Sequence, residues 1–165
     1  MSNPPSGASP FVYRELTPAD MPMAFLVRAA AKENPMPLIS GLKFLGITVE
    51  GEAKKLATTH KGFACEDDGL LIGFVIADGS TGELWVLSVW PEYEGKGIGR
   101  QLMTLAQDWL YSQGWEKLWL TTGIKPSRAL ALYQKLGWKI TGKLEHGGSY
   151  RMELPKPNAG DRPVR

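Results

Sequence analysis

The chain has 165 residues, of which 43% are apolar and 22% charged, and its 19 basic and 17 acidic side chains leave a formal charge of +2 at pH 7. This length suits one domain with a full hydrophobic core, and the near balance of charge excludes the broad basic surface of a nucleic-acid-binding protein. A single cysteine, Cys65, excludes a disulfide framework within the chain, and no apolar run approaches the ~20 residues of a membrane span. We therefore expect a soluble cytoplasmic protein that binds neither nucleic acid nor membrane.

Both ends of the chain lack residues that could form an apolar face. Residues 1–10 and 155–165 are rich in Pro, Gly and small polar residues, a composition typical of flexible tails. The first of these segments also lacks the basic and apolar regions of a signal peptide. The predicted domain therefore spans residues 11–154.

Hydrophobic periodicity predicts alternating strands and helices between these tails. Apolar residues at every second position predict strands, and apolar residues three or four apart predict helices, two of which end at Gly114 and Gly137. In chain order the predicted elements are a strand at residues 11–16, a helix that begins at Thr17 and ends at Asn34-Pro35-Met36-Pro37, one or two helical pieces within residues 38–60 (most clearly 52–57), strands at 62–65, 70–77 and 83–90, a helix at 98–110, a strand at 118–122, a helix at 129–136 and paired strands at 138–142 and 149–154.

This order of elements predicts a mixed sheet of the α/β or α+β class. Residues 83–90 are apolar on both faces except at Glu83 and Ser88, which is typical of a central strand. A loop that joins this strand to the next helix carries glycine at alternate positions, Gly95, Gly97 and Gly99. Glycines allow backbone N–H groups to approach an anion closely, and the first helical turn adds unpaired donors, so the loop predicts a phosphate cradle.

Three kinds of cofactor site use such a loop. The glycine spacing does not match the G-x-G-x-x-G of a dinucleotide site, and Gly95-Lys96 is followed by Gly97 rather than the Ser or Thr of a Walker loop. A site for the pyrophosphate of coenzyme A remains. Lys96 and Arg100 would add charge-assisted hydrogen bonds there.

Two sequence blocks are similar to those of a known family. Glu94-Gly95-Lys96-Gly97-Ile98-Gly99 resembles Q/R-x-x-G-x-G/A except at its first position, and residues 129–138, ALALYQKLGW, resemble A-x-x-x-Y-x-K-x-G-F with Trp for Phe. On these blocks, and on element order from about residue 11 to 154, the chain resembles the GNAT superfamily of N-acetyltransferases. The resemblance implies a mixed, mostly antiparallel central sheet flanked by helices, with a splayed strand pair that holds acetyl-CoA and releases CoA as product.

The resemblance also implies roles for individual residues. Val89 would direct its backbone N–H at the thioester oxygen, Tyr133 would be the general acid, and Glu83 would deprotonate the incoming ammonium directly or through water. The tyrosine suits its role because an ordinary phenol, with a pKa of ~10, is protonated at pH 7 while a thiol near ~8.5 leaves as a thiolate that needs a proton. The implied cofactor-binding residues are Leu87, Ser88, Val89, Glu94, Gly95, Lys96, Gly97, Ile98, Gly99, Arg100, Ser127 and Tyr133, and no metal site is implied.

The residues alone leave alternatives open. Tyr133 shares a helical stripe with Ala129, Leu132 and Leu136, as a core tyrosine would, and Glu83 also suits a solvated strand end. The alternative bases are Glu145 and His146, then His60, and the least attractive nucleophile is Cys65.

Two departures from the family pattern concern cofactor affinity. The carboxylate of Glu94 would repel phosphate unless it points away or pairs with Lys96 or Arg100, and Pro126 replaces an Asn that binds the cofactor in many members, so Ser127 or the pyrophosphate contacts must compensate. Thr121, Thr122 and Gly123 could line the cofactor cleft.

The sequence predicts transfer of acetyl from acetyl-CoA directly to a primary amine of a small molecule or peptide. The alternatives are a CoA-binding sensor or interaction module with little turnover, and transfer of a different acyl group. Neither the acceptor nor the choice between monomer and homodimer follows from the sequence. The segments expected to set specificity are residues 28–60, with Phe25 and Phe44 as pocket walls and Lys43, Glu52, Lys54 and Lys55 as charged groups, and the hairpin around His146.

Overall fold

A seven-stranded sheet runs through the part of the chain that this computed structural model describes, residues 10–30, 47–144 and 148–157. The strand order is β1-β2-β3-β4-β5-β7-β6. Every neighbouring pair is antiparallel except β4 and β5, which are parallel, so the predicted mixed, mostly antiparallel sheet is confirmed. The strands are β1 (Val12–Leu16), β2 (His60–Asp67), β3 (Leu70–Asp78), β4 (Glu83–Val89), β5 (Lys117–Gly123), β6 (Lys139–Lys143) and β7 (Ser149–Pro155).

Helices flank this sheet, and the first α-helix ends at Ala29, before the predicted break at residues 34–37. The helix predicted from Thr17 begins as a 3-10 turn, Pro18–Asp20, and continues as an α-helix from Met21. The helix predicted at residues 52–57 begins earlier, because Thr48 Oγ1 accepts a hydrogen bond from the Gly51 N–H at 3.0 Å. The α-helices are α1 (Met21–Ala29), α2 (Val49–Leu56), α3 (Ile98–Ser112) and α4 (Arg128–Lys135).

Some predictions fall on other parts of the chain. The Asn34-Pro35-Met36-Pro37 break, Lys43, Phe44, Glu145 and His146 lie outside the described residues, as do most of the two predicted tails. At the carboxyl end, β7 continues through Pro155, the first residue of the predicted tail, and the Lys156 N–H donates to the Glu116 carbonyl at 2.7 Å. None of the helices described here has the length and apolar character needed to cross a membrane.

The core has two layers, one on each face of the sheet. On one face α3 inserts Leu102, Met103, Ala106 and Leu110, all fully buried, because the apolar residues of this helix recur at three and four positions. On the other face Ala24 and Val27 of α1 pack against the sheet, together with the apolar side of α2. The strand between these layers, β3, is buried from residue 71 to residue 77, as its uninterrupted apolar sequence requires.

The middle of the sheet opens at β4. This strand pairs with β5 at a single position, Glu83 opposite Trp119. On its other side the register with β3 shifts, so that Ala77 lies opposite Leu84 and Ile76 opposite Val86, with Trp85 between them. Such a bulge bends a strand and redirects its side chains. The splayed strand pair expected from the family resemblance is therefore present, and the β5 side of β4 faces a cleft.

Candidate active site

The splay of β4 and β5 opens a cleft of about 1200 Å³. Its walls are residues 84–89 of β4, the glycine loop before α3, the end of β5 with Thr121, Thr122 and Gly123, and α4. Glu83 and Lys96 are absent from the lining, and the Lys96 side chain is exposed. The sequence-predicted residues that do line the cleft are Leu87, Ser88, Val89, Glu94, Gly95, Gly97, Ile98, Gly99, Arg100, Ser127 and Tyr133.

The glycine loop has the backbone that an anion cradle requires. Gly95 and Gly97 have left-handed φ values of 79° and 82°, which L-residues with a side chain rarely adopt. Gly97 is the N-cap of α3, so the unpaired N–H groups and the positive end of that helix dipole lie at the cleft wall. A Cβ on Gly97 would meet no atom within 4 Å, so it would project into open space at the cradle. These features fit a pyrophosphate group.

The cations around the cradle differ from those that the sequence suggested. Besides Arg100, the cleft is lined by Lys125 and Arg128 before and at the start of α4, and by Lys135 at its end. Arg128 Nε lies 3.4 Å from Glu94 Oε2. The sequence left two arrangements for this carboxylate, pointing away from the phosphates or pairing with Lys96 or Arg100, and it pairs with Arg128. The sequence did contain an indication of this pair. Arg128 is the first residue of its helix, where a positive charge is unfavourable unless a nearby anion compensates it.

Ser127 begins α4 as its N-cap, and its Oγ accepts a hydrogen bond from the Leu130 N–H at 3.0 Å. This bond uses the hydroxyl as an acceptor and leaves its O–H free to donate toward the cleft. Pro126 precedes it in the cleft wall. Ser127 is therefore positioned by the helix it caps.

The sequence suggested two locations for Tyr133, the hydrophobic core or the cofactor cleft. Its side chain belongs to the core and also lines the cleft. It is 7% exposed, and its ring centroid lies 6.4 Å from that of Trp138. Burial raises the pKa of Tyr133 to about 12, while the positive charge of Arg28 acts in the opposite direction. The phenol is therefore fully protonated at neutral pH.

Glu83 begins β4 and lies near other titratable groups. Burial raises the pKa of Glu83, the carboxylate of Asp78 raises it further, and Arg151 and Lys55 lower it. Asp78 lies opposite Glu83 on the neighbouring strand β3, and its Oδ2 lies 3.7 Å from Nε2 of His60 at the start of β2. Burial lowers the pKa of His60, so this imidazole is neutral at pH 7.

Cys65 is fully buried in the core. Burial raises the pKa of its thiol, which keeps the thiol protonated and a weak nucleophile. This geometry agrees with its low rank among the nucleophiles considered.

A second cavity of about 200 Å³ lies between α1, α2 and the β3–β4 face of the sheet. Phe25, a predicted pocket wall, lines it, and so does Glu52, which is 3% exposed. Three residues line both this cavity and the cleft: Arg28, Trp85 and Val86. These shared residues place the cavity next to the cleft at the bulge of β4.

Comparison with known proteins agrees with this geometry. The model of the acetyltransferase (GNAT) family matches residues 42–138. Mycothiol acetyltransferase of Streptomyces coelicolor is 36% identical over 80 residues, 46% of this chain and 26% of that protein. Spermidine N(1)-acetyltransferase of Escherichia coli K12 is 35% identical over 66 residues, 37% of this chain and 36% of that protein.

Among solved structures, the PaiA N-acetyltransferase of Thermoplasma acidophilum in complex with coenzyme A has the same fold. It superposes with a TM-score of 0.75 at 20% identity, over 88% of this chain and 99% of that one. The two curated relatives, in contrast, are matched over about a quarter to a third of their own length.

Proposed function

The chain belongs to the GNAT family of acetyltransferases, and we propose that it transfers the acetyl group of acetyl-CoA directly to a primary amine of a small molecule or peptide. The observation that carries the proposal is the cleft between β4 and β5, which combines a glycine cradle, a cationic wall and a buried tyrosine. When bound, acetyl-CoA supplies an activated thioester carbonyl and a thiolate leaving group. The similarity to a spermidine acetyltransferase supports an amine acceptor.

The cradle and β4 would hold the cofactor through the backbone. The N–H groups of the first turn of α3 would bind the pyrophosphate, assisted by Arg100 and Arg128. Immediately after β4, the Trp90 N–H donates to the Ile72 carbonyl of β3 at 2.7 Å. Since N–H groups alternate in direction along a strand, that of Val89 faces the β5 side, where the strands have separated. This direction supports Val89 as the donor to the thioester oxygen.

Two side chains would move protons. The Tyr133 hydroxyl would donate a proton to the leaving sulfur, and its place in the cleft wall supports this role. Glu83 would take a proton from the acceptor ammonium. Because Glu83 lines neither cavity, water would have to carry that proton.

Two measurements test the function. Calorimetry with CoA, acetyl-CoA and ATP should show binding of the two CoA species, and no CoA binding or a preference for ATP would refute the proposal. Thiol release from acetyl-CoA should then appear with some members of an amine panel. The alternative is a CoA-binding sensor, which the Glu94 carboxylate at the cradle favours, and binding without thiol release for any amine would support it.

Replacing Glu94 by Gln should strengthen acetyl-CoA binding by about 3- to 10-fold, because it removes a negative charge beside the phosphates and releases Arg128 to bind them. The gain should shrink as salt is added. The measurement is the Kd at two salt concentrations. Glu92→Gln is the matched control, since Glu92 is exposed two positions earlier and outside the cleft lining. Equal or weaker binding of Glu94→Gln would show that the carboxylate does not oppose the cofactor.

Replacing Glu83 by Gln should remove the acidic limb of the pH–rate profile and lower the rate at neutral pH by about 10²-fold. A carboxyl accepts a proton only when ionised, and the pKa of Glu83 is raised. Activity should therefore rise as pH increases through that raised pKa, and the Gln variant should lack this rise. Glu116→Gln, at an exposed position, is the control. An unaltered profile would assign the base elsewhere, with Glu145 and His146 next in order.

A further inference from the structure

We call the cavity between α1, α2 and the β3–β4 face the acceptor cavity, because the proposed reaction would place its amine substrate there. It has the size and walls of a site for a compact aromatic group. Its volume is about 200 Å³, and a cavity of ~150 Å³ in another protein holds benzene. Among the described residues, Phe25, Phe74 and Trp85 supply aromatic walls, and the other apolar side chains that line it are Met21, Ile47, Ile76 and Val86. A six-membered ring with a short chain therefore fits this space.

The carboxylate of Glu52 lies among these apolar walls. Glu52 lies on the buried side of α2, three residues after Val49 and four before Leu56, in a position where a helix of this pattern would ordinarily carry an apolar residue. Glutamate is rarely this buried unless it is paired. Its Oε1 accepts a hydrogen bond from Lys55 Nζ at 3.0 Å. A carboxylate has about four acceptor positions, so this ion pair does not saturate it.

The charge on this pair is already balanced. Lys55 is half exposed, and its Nζ also lies 5.1 Å from the centroid of the Trp85 ring. A second ammonium beside Glu52 would therefore repel Lys55. A neutral donor, such as a phenolic O–H, would gain a hydrogen bond to an ionised acceptor without that repulsion.

The route from this cavity to the cleft orients the acceptor. Arg28, Trp85 and Val86 line both spaces, whereas Glu52 lines the acceptor cavity and is absent from the cleft lining. The amine that reacts must reach the cleft, so the rest of the acceptor lies in the cavity with its far end toward Glu52.

We propose that the acceptor is an arylalkylamine whose ring carries a neutral hydrogen-bond donor, which Glu52 binds at the far end of the acceptor cavity. This inference rests on the proposed function and adds the chemical class of its substrate. Glu52 is then a specificity-determining residue. The family blocks gave no indication of it, because it lies on a helix outside both.

The experiment measures thiol release from acetyl-CoA with three amines: tyramine, phenethylamine and cadaverine. Tyramine and phenethylamine differ by the ring hydroxyl alone. The ratio of their kcat/KM values therefore measures the contribution of the hydrogen bond that this hydroxyl would donate to Glu52. We expect the wild-type protein to favour tyramine by about 10- to 100-fold, the range for a hydrogen bond to a charged group. Cadaverine should be the poorest of the three.

Glu52→Gln keeps the shape of the side chain and removes its charge. It should reduce the preference for tyramine over phenethylamine to a few-fold, because a neutral acceptor forms a weaker hydrogen bond. Glu50→Gln, on the exposed side of the same helix, should keep the wild-type ratio. If Glu52→Gln does not fold, the substrate class is tested with the wild-type protein alone. The measurements are then the ratio of kcat/KM for tyramine and phenethylamine and the calorimetric Kd of each amine in the presence of CoA, and equal values for the two amines would overturn the proposal.

The outcomes separate this inference from the function on which it rests. Thiol release with equal use of tyramine and phenethylamine, or with cadaverine preferred, would overturn the substrate class and leave the acetyltransferase standing. An unchanged ratio in Glu52→Gln would overturn the role of Glu52. CoA binding without thiol release for any amine would refute the function itself, and the substrate class with it.

Discussion

Replacing Tyr133 by Phe should lower kcat by about 10²- to 10³-fold, the usual contribution of a general acid, while the Kd of acetyl-CoA changes by less than about twofold. The substitution removes the one hydroxyl and keeps the ring that fills the core beside Trp138. The phenyl ring, which the variant keeps, provides the packing in the core, and the hydroxyl, which it lacks, would provide the proton for the leaving thiolate. Steady-state rates and calorimetric Kd values measured on the same preparation separate the two effects.

The pH dependence of this prediction follows from the pKa of about 12 at Tyr133. Because the phenol stays protonated up to that pKa, loss of its proton should not lower the wild-type rate between pH 8 and 10. Tyr111→Phe is the matched control, since Tyr111 is a half-buried tyrosine of α3 outside the cleft lining. Unchanged turnover in Tyr133→Phe would remove Tyr133 from the mechanism and leave it a core residue.

Replacing Trp138 by Ala should lower the free energy of unfolding by about 3 to 5 kcal/mol, the range for truncating a buried aromatic residue. Trp138 is 2% exposed, and its indole N–H donates to Gln107 Oε1 of α3 at 3.0 Å. The ring thus joins α3 to the chain that follows α4. Urea unfolding followed by circular dichroism would measure the loss.

Trp138→Phe is the informative companion, because Phe stands at this position in the family block. It keeps an aromatic ring but leaves Gln107 without its donor, so we expect a loss of about 1 to 2 kcal/mol. The alanine variant should also lower turnover, since Tyr133 would lose part of its support. A loss below about 1 kcal/mol for Trp138→Ala would contradict the packing described for this side chain.

Much of the cleft could be predicted because its parts are local in sequence. The glycine loop and the first turn of α3 are consecutive, so their spacing specifies the cradle directly. Tyr133 and Trp138 belong to one short block, residues 129–138. The splay of β4 and β5 entered as an implication of the family resemblance, and the structure confirms it with a single paired position, Glu83 and Trp119.

Side-chain directions within the cradle were not predictable in the same way. Lys96 is next to the correct glycines, yet its side chain is exposed and outside the cleft lining. Arg128 is more than thirty positions away in the chain and lies 3.4 Å from Glu94. Proximity in sequence places a backbone, whereas the direction of a side chain depends on the local φ and ψ and on the packing of a second helix.

The sequence by itself determined the order of the elements, the cradle at Gly95, Gly97 and Gly99, and the placement of Tyr133 on α4, because each is written within one continuous segment. Only the tertiary structure decided the acceptor cavity, which brings together α1, α2, β3 and β4. Glu52 becomes meaningful there because folding buries its carboxylate among aromatic rings contributed by three other elements. Burial depends on all the segments that surround a residue, and no single segment carries that information.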